Sequence, residues 1–182
     1  GIFQSKIIVE KPFGRDKKSA RQLNSQLLQY YRENQIYRID HYLGKDTVQN
    51  IFYFRLSNSI IEPLWNRQYI DYIKITVAEK IGIEKRGHFY EQTGVIRDIV
   101  QNHAMQLIAL IAMEPPVSFA PDDIRDEKVK IFRSIKKMNR LKRQTVIGQY
   151  GPGVREGEQV PGYRQEENVA PDSAIPTFFA GR

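Results

Sequence analysis

Ser5-Lys6-Ile7-Ile8-Val9-Glu10-Lys11-Pro12-Phe13-Gly14 decides how the rest of the chain is read. A β-type apolar run is stopped at once by Pro12 and Gly14. A buried strand needs neighbours. No earlier strand in these 182 residues supplies one, so a truncated piece of a longer chain is expected. Asp16 then caps a helix expected over 16–34, with Leu23, Leu27, Leu28 and Tyr31 at helical spacing. Residues 37–42 read as extended chain or turn, and Gly44 precedes a second helix over 45–55.

Further along, Glu62-Pro63-Leu64-Trp65-Asn66-Arg67 is a break, and residues 69–79 alternate well enough to predict a half-buried strand. Residues 89–113 form the clearest long helix, because Ile96, Ile99, Val100, His103, Leu107, Leu110 and Ile111 follow the i, i+3, i+4, i+7 pattern. Pro115-Pro116 ends it. Pro121-Asp122-Asp123 opens another helix to about Met138, with acids first and bases last as the helix dipole favours. From Gly148 the glycines and prolines describe a long loop, followed by a short β-type run over 175–180.

Composition narrows the chemistry. With 28 Lys+Arg against 21 Asp+Glu the net charge is +7, which favours an anionic partner without choosing among nucleic acid, membrane surface and a phosphorylated small molecule. Hydrophobic residues make up 41%, enough for a core. The absence of cysteine removes disulfides, thiolate nucleophiles and Cys-based zinc sites, leaving His41, His88 and His103 as the only imidazoles. Residues 1–12 do not resemble a signal peptide, and the most apolar stretch, 107–113, is far short of a membrane span. A cytoplasmic protein with no membrane partner is expected.

His103 lies on the apolar stripe of the strongest helix. A buried imidazole satisfied by one hydrogen bond accounts for it; so does a general base whose tautomer a carboxylate fixes. Asp40, Glu79 and Asp98 are the candidate carboxylates. Asp98 is five residues before His103, about 140° around an ideal α-helix, which leaves Asp40 the freer choice. Asp40-His41-Tyr42-Leu43-Gly44-Lys45 gathers an acid, an imidazole, a phenol and an ammonium ahead of a helix, as a phosphate site does. A solvated turn with a capping role explains the same residues.

Lys128, Lys130, Arg133, Lys136, Lys137, Arg140, Lys142 and Arg143 place eight bases in sixteen residues with no acid among them. They suit the solvated face of an amphipathic helix better than a nucleic-acid groove, because no aromatic residues interleave beyond Phe132. Gly148-Gln149-Tyr150-Gly151-Pro152-Gly153 lacks the Lys-Ser/Thr and the spacing of a phosphate loop.

Taken together, Glu10-Lys11-Pro12-Phe13-Gly14, Arg38-Ile39-Asp40-His41-Tyr42-Leu43-Gly44-Lys45, Glu62-Pro63-Leu64-Trp65-Asn66-Arg67 and Gly94-Val95-Ile96-Arg97-Asp98 with Gln101-Asn102-His103 resemble the glucose-6-phosphate dehydrogenase family. The likeness extends through Gly148-Gln149-Tyr150 and Val160-Pro161-Gly162-Tyr163-Arg164. It implies hydride transfer from C1 of glucose 6-phosphate to NADP, giving the 6-phosphoglucono-lactone, in a full-length protein that is a homo-oligomer. By this resemblance His103 is the base and Asp40 orients and charge-stabilises it. His41, Tyr42 and Lys45 hold the sugar phosphate, Glu79 and Asp98 bind sugar hydroxyls, and Lys11 sits between substrate and coenzyme. No metal is implied, and a basic nucleic-acid-binding module is the alternative reading.

The implied fold is α+β: a substrate domain with helices packed on a largely antiparallel sheet, preceded by the exit strand of a Rossmann-type domain. Residues 1–36 are then a remnant of the dinucleotide-binding domain, and 37–182 the first part of the substrate domain, in a fragment not expected to turn over alone. Two departures from the family pattern stand out. Arg86-Gly87 is followed by His88 where a second glycine is usual, and Ala104-Met105 replaces the Leu-Leu that follows the base.

Overall fold

A computed structural model describes residues 5–137 and 139–182. They form two compact units that divide between Gly44 and Lys45.

In the first unit β1 (Ile7–Glu10) pairs in parallel with β2 (Ile36–Ile39), with Ile7 opposite Ile36 and Glu10 opposite Ile39. Parallel strands need a crossover, and α1 (Lys17–Tyr30) supplies it. Asp16 starts this helix as its sequence predicts: its side chain accepts from the Ser19 amide at 2.8 Å while Ser19 Oγ accepts from the Asp16 amide at 3.0 Å. The helix ends earlier than expected, because Tyr31 turns extended (φ −126°, ψ 146°) and residues 33–35 form a 3₁₀ turn. Gln35 fastens that turn, donating to the Ser5 carbonyl at 2.8 Å and accepting from the Arg32 amide at 2.9 Å. Ile7 and Val9 are half-buried, whereas Ile8 is 69% exposed.

The second unit is built from α2 (Asp46–Leu56), α3 (Gly87–Val95), a π-helical segment (Ile96–Ala104), α4 (Met105–Ala112), α5 (Pro121–Ser134) and α6 (Leu141–Gln144). α4 packs on both α2 and α5. β3 (Thr145–Gly148) and β6 (Phe178–Gly181) pair antiparallel, so the terminal β-type run is a strand as expected. The Gly/Pro-rich stretch between them is more ordered than a loop. It contains the hairpin β4 (Gly153–Arg155) and β5 (Glu158–Val160), turned through Glu156 and Gly157 at φ 53° and 88°. The core gathers Ile83, Tyr90, Val95 and Tyr163, with Ile99, Tyr150, Val169, Ile175 and Phe179 packed around them.

Helices with small antiparallel sheets make this an α+β fold, as anticipated. Two local expectations are overturned. Residues 69–79 do not form a strand: alternation supplies a face, but no described strand pairs with it, and Tyr69, Tyr72 and Ile73 stay exposed. α5 stops at Ser134 because Ile135 leaves helical geometry (φ −64°, ψ 117°); the expected end at Met138 lies outside the described residues.

Candidate active site

The first unit presents its polar residues beyond the C-terminal ends of a parallel strand pair, the usual ligand-binding edge of such sheets. Lys11, half-buried, follows β1 directly and is joined to Pro12 by a cis peptide bond. Asp40 follows β2 and heads the 3₁₀ turn His41–Gly44. Its Oδ1 accepts from the Tyr42 amide at 3.0 Å, and its carbonyl accepts from the Leu43 amide at 3.0 Å. This is the local pairing that favours aspartate at turns. His41 is exposed, its Nδ1 3.5 Å from Glu10 Oε1. The turn thus gathers Asp40, His41 and Tyr42, and β1 brings Glu10 and Lys11 to the same sheet edge.

In the second unit Lys45 is the first residue and the N-cap of α2. Its carbonyl accepts from the Val48 and Gln49 amides at 2.9 and 3.0 Å, while its ammonium-bearing side chain is exposed. Glu79 is exposed in the unpaired stretch before Gly82.

Asp98 and His103 both lie on the π-helical segment and are buried, at 6% and 2% exposure. The i→i+5 pattern is visible at its end, where the Met105 amide donates to the Val100 carbonyl. That geometry corrects the separation expected from an α-helix. Residues five apart stand about 140° apart in an α-helix, but an i→i+5 ladder brings them to one side. Asp98 is therefore better placed toward His103 than its sequence spacing suggests.

The device that starts this segment is Gly94. It sits inside the helical run at φ 61°, ψ 176°, a conformation essentially reserved for glycine. The Val95 amide freed by the kink donates to the Pro176 carbonyl at 3.0 Å, and a Cβ on Gly94 would meet Ile175 Cγ2 at 3.1 Å. The strand-bearing C-terminal stretch is itself pinned to α3. Tyr163 Oη and Ser173 Oγ both donate to Glu91 Oε1, and Gln149 donates to the carbonyls of Ser173 and Ile175 at 2.9 and 2.8 Å.

Burial penalises the Glu91 carboxylate, but the hydrogen bonds from Ser173 and Tyr163 outweigh it and hold the group below its usual pKa. Burial, helped by the charge of Asp98, pushes the Tyr90 phenol up to about 12. Gly94 and Glu91 were not singled out from sequence. An isolated glycine within a helical pattern was the available signal.

The basic run does not share one helix. Lys128, Lys130 and Arg133 lie on α5, Lys136 and Lys137 follow it, Arg140 caps α6, and Lys142 and Arg143 lie on α6. Lys128 reaches Gln106 Oε1 at 3.2 Å, and Lys130 pairs with the buried Glu127. Phe132 and Ile135 are exposed. Among the described residues no group of three or more His, Cys, Asp or Glu is arranged to hold a metal, and no helix is long and apolar enough to cross a membrane.

Two family models match consecutive parts of the chain: the NAD binding domain of glucose-6-phosphate dehydrogenase over residues 3–50, and the C-terminal domain of the same enzyme over residues 52–182. Glucose-6-phosphate 1-dehydrogenase of Chlamydia pneumoniae is 52% identical over 97% of this chain and 34% of its own length. The Bacillus subtilis (strain 168) enzyme is 49% identical over 98% of this chain and 37% of its own. Among solved structures, a glucose-6-phosphate dehydrogenase in complex with its substrate glucose-6-phosphate superposes with a TM-score of 0.85 at 40% identity, over 96% of this chain and 35% of that one. Glucose-6-phosphate 1-dehydrogenase from Mycobacterium avium gives 0.82 at 44% identity, over 97% and 37%. The chain thus spans about a third of the length of the curated relatives it matches. With both models matching in order and the second alone covering more than half of the residues, the chain belongs to the glucose-6-phosphate dehydrogenase family.

Proposed function

We propose that the protein carrying this chain oxidises glucose 6-phosphate at C1, passing hydride to NADP and releasing the 6-phosphoglucono-lactone, in the cytoplasm and as a homo-oligomer. The observation that carries this reading is a buried imidazole, His103, on a π-helical segment with Asp98, in a chain of this family. The alternative of a nucleic-acid-binding module has no support in the family or in the dispersed basic run.

His103 takes the C1 hydroxyl proton as hydride leaves, and a positioned base of this kind contributes a factor of ~10² to 10⁴. Asp40 orients the imidazole and stabilises its charged form. Asp98 and Glu79 hold sugar hydroxyls. His41, Tyr42 and Lys45 hold the phosphate, anchoring the substrate away from the reacting carbon so that binding there positions C1. Lys11, a half-buried cation at the C-terminal end of a parallel strand, suits a phosphate-bearing dinucleotide beside the substrate. Lys11 would help to hold NADP there, and the coenzyme's chemistry would be that of the hydride acceptor.

The proposed division is a coenzyme-domain segment over 1–36 and a substrate-domain segment over 37–182. The compact units part slightly later, after Gly44, because β2 stays hydrogen-bonded to β1.

Deuterium transfer tests the reaction directly. Glucose 6-phosphate deuterated at C1 is expected to deliver its label to NADP when mixed with the intact protein. Label that stays on the sugar would overturn the proposal.

A further inference from the structure

α4 ends at Met113 with neither a glycine nor a basic side chain to cap it, and Pro115-Pro116 bar its continuation. Its final carbonyls still need donors. Ala109 accepts from the Met113 amide at 2.8 Å, Leu110 from Arg55 Nη1 at 3.0 Å, and Ile111 from Trp65 Nε1 at 2.8 Å. The last two donors come from 55 and 46 residues away in sequence, in the final turn of α2 and just past the 3₁₀ turn Glu62–Leu64. The Arg55 guanidinium also lies 5.8 Å over the Trp65 ring.

Keeping Arg55 there is costly. The residue is 5% exposed and its Nε has no hydrogen-bond partner. Burial lowers its pKa against the opposing pull of Glu114 and Glu62. An apolar side chain of similar size would fill the space without that cost. What it would lose is a positive charge and a donor at a helix C-terminus.

His103 precedes Leu110 by seven residues, about two helical turns. Between Gly94 and α4 lies the π-helical segment, a rare geometry that relaxes to α by turning whatever follows it, about 100° for each residue absorbed. Its start is fixed by the Gly94 kink and the Val95–Pro176 hydrogen bond. Its continuation is fixed by Arg55 and Trp65. The segment is thus tied at its start to the C-terminal stretch and, through α4, to Arg55 and Trp65.

We propose that Arg55 and Trp65 are positioning residues for His103, holding the helix that carries it by the Leu110 and Ile111 carbonyls. The proposal rests on the reading of His103 as the base.

Four variants of the intact protein test it: Trp65→Phe, which keeps the ring and removes the indole N–H, Arg55→Met, Arg55→Lys and His103→Asn. Kinetics with glucose 6-phosphate and NADP are measured across pH, beside thermal melts. One lost hydrogen bond of 0.5–1.5 kcal/mol corresponds to roughly two- to twelvefold, so Trp65→Phe is expected to lower kcat by about that factor and leave KM unchanged. The acid limb of its kcat/KM profile is expected to move. Arg55→Met should lose more, and Arg55→Lys should recover part of it. Melts that fall while kcat and the pH profile stay at wild-type values would reduce the clamp to a structural one and overturn the proposal. Should Arg55→Met fail to fold, Trp65→Phe decides. If His103→Asn turned over normally, the base reading itself would fail. An inactive His103→Asn beside an unaffected Trp65→Phe would overturn the positioning role alone.

Discussion

Asp98 and His103 stand five residues apart on a π-helical segment, both buried, in the i, i+5 relation that brings side chains to one side of such a turn. Disrupting the segment is therefore expected to affect both residues together. In an α-helix the same two positions diverge by about 140°.

Gly94 is the position most exposed to that disruption. An alanine there meets a backbone conformation that L-residues rarely adopt and a Cβ contact of 3.1 Å to Ile175. Gly94→Ala is expected to destabilise the protein by about 1–3 kcal/mol and to lower kcat more than it raises KM. Chemical denaturation and steady-state kinetics check the two parts. A variant with wild-type stability would show that the kink is not needed.

Tyr163 ties the C-terminal stretch to α3 through Glu91, which Ser173 also reaches. Tyr163→Phe keeps the ring, which is wholly buried, but takes a donor from the carboxylate. Glu91 is half-buried and keeps Ser173, so the loss is that of one hydrogen bond to a charged group, about 1.5–3 kcal/mol. Denaturant melts of Tyr163→Phe and Ser173→Ala measure it, and the Tyr163 change should be the larger because its phenol lies in the aromatic core.

Alkaline pH provides a separate reading of the same core. Burial pushes the Tyr90 and Tyr150 phenols from their ordinary 10.0 up to about 12. Groups raised in the folded state favour folding fully below the unfolded pKa, and that contribution is lost as pH rises through the folded value. Stability should hold up to about pH 10 and fall between roughly 10 and 12. Circular dichroism followed across pH tests this; stability that stays level from about pH 10 to 12 would contradict it.

Lys45 is expected to act on binding alone. Its backbone caps α2 whatever the side chain, so Lys45→Ala leaves the helix start intact. A charge-assisted hydrogen bond of about 1.5–3 kcal/mol translates to an affinity for glucose 6-phosphate lower by roughly 10- to 150-fold. Calorimetry on the intact protein reads it directly, and unchanged affinity would remove Lys45 from the phosphate site.

Local signals were the most legible. Asp16 capped α1 as its type suggests, Pro121 with Asp122 and Asp123 opened α5, and the Asp40–Lys45 motif fell at a junction between a strand and a helix. Where pairing or packing decides, the sequence was less informative. Residues 69–79 alternate like a strand but find no described partner. The β4–β5 hairpin, turned through Glu156 and Gly157, was hidden by the glycines and prolines that flank it. The π-helical segment was invisible because its apolar residues fit an α-helical period almost as well. What changes the geometry is Gly94, held by the distant Ile175 and Pro176.

The central claim is that His103 is the base in C1 oxidation of a sugar phosphate. Steady-state turnover of His103→Asn in the intact protein, with glucose 6-phosphate and NADP, tests it most directly. A fall in kcat of ~10² to 10⁴ with glucose 6-phosphate binding retained is the expected result, and turnover at the wild-type rate would contradict the claim.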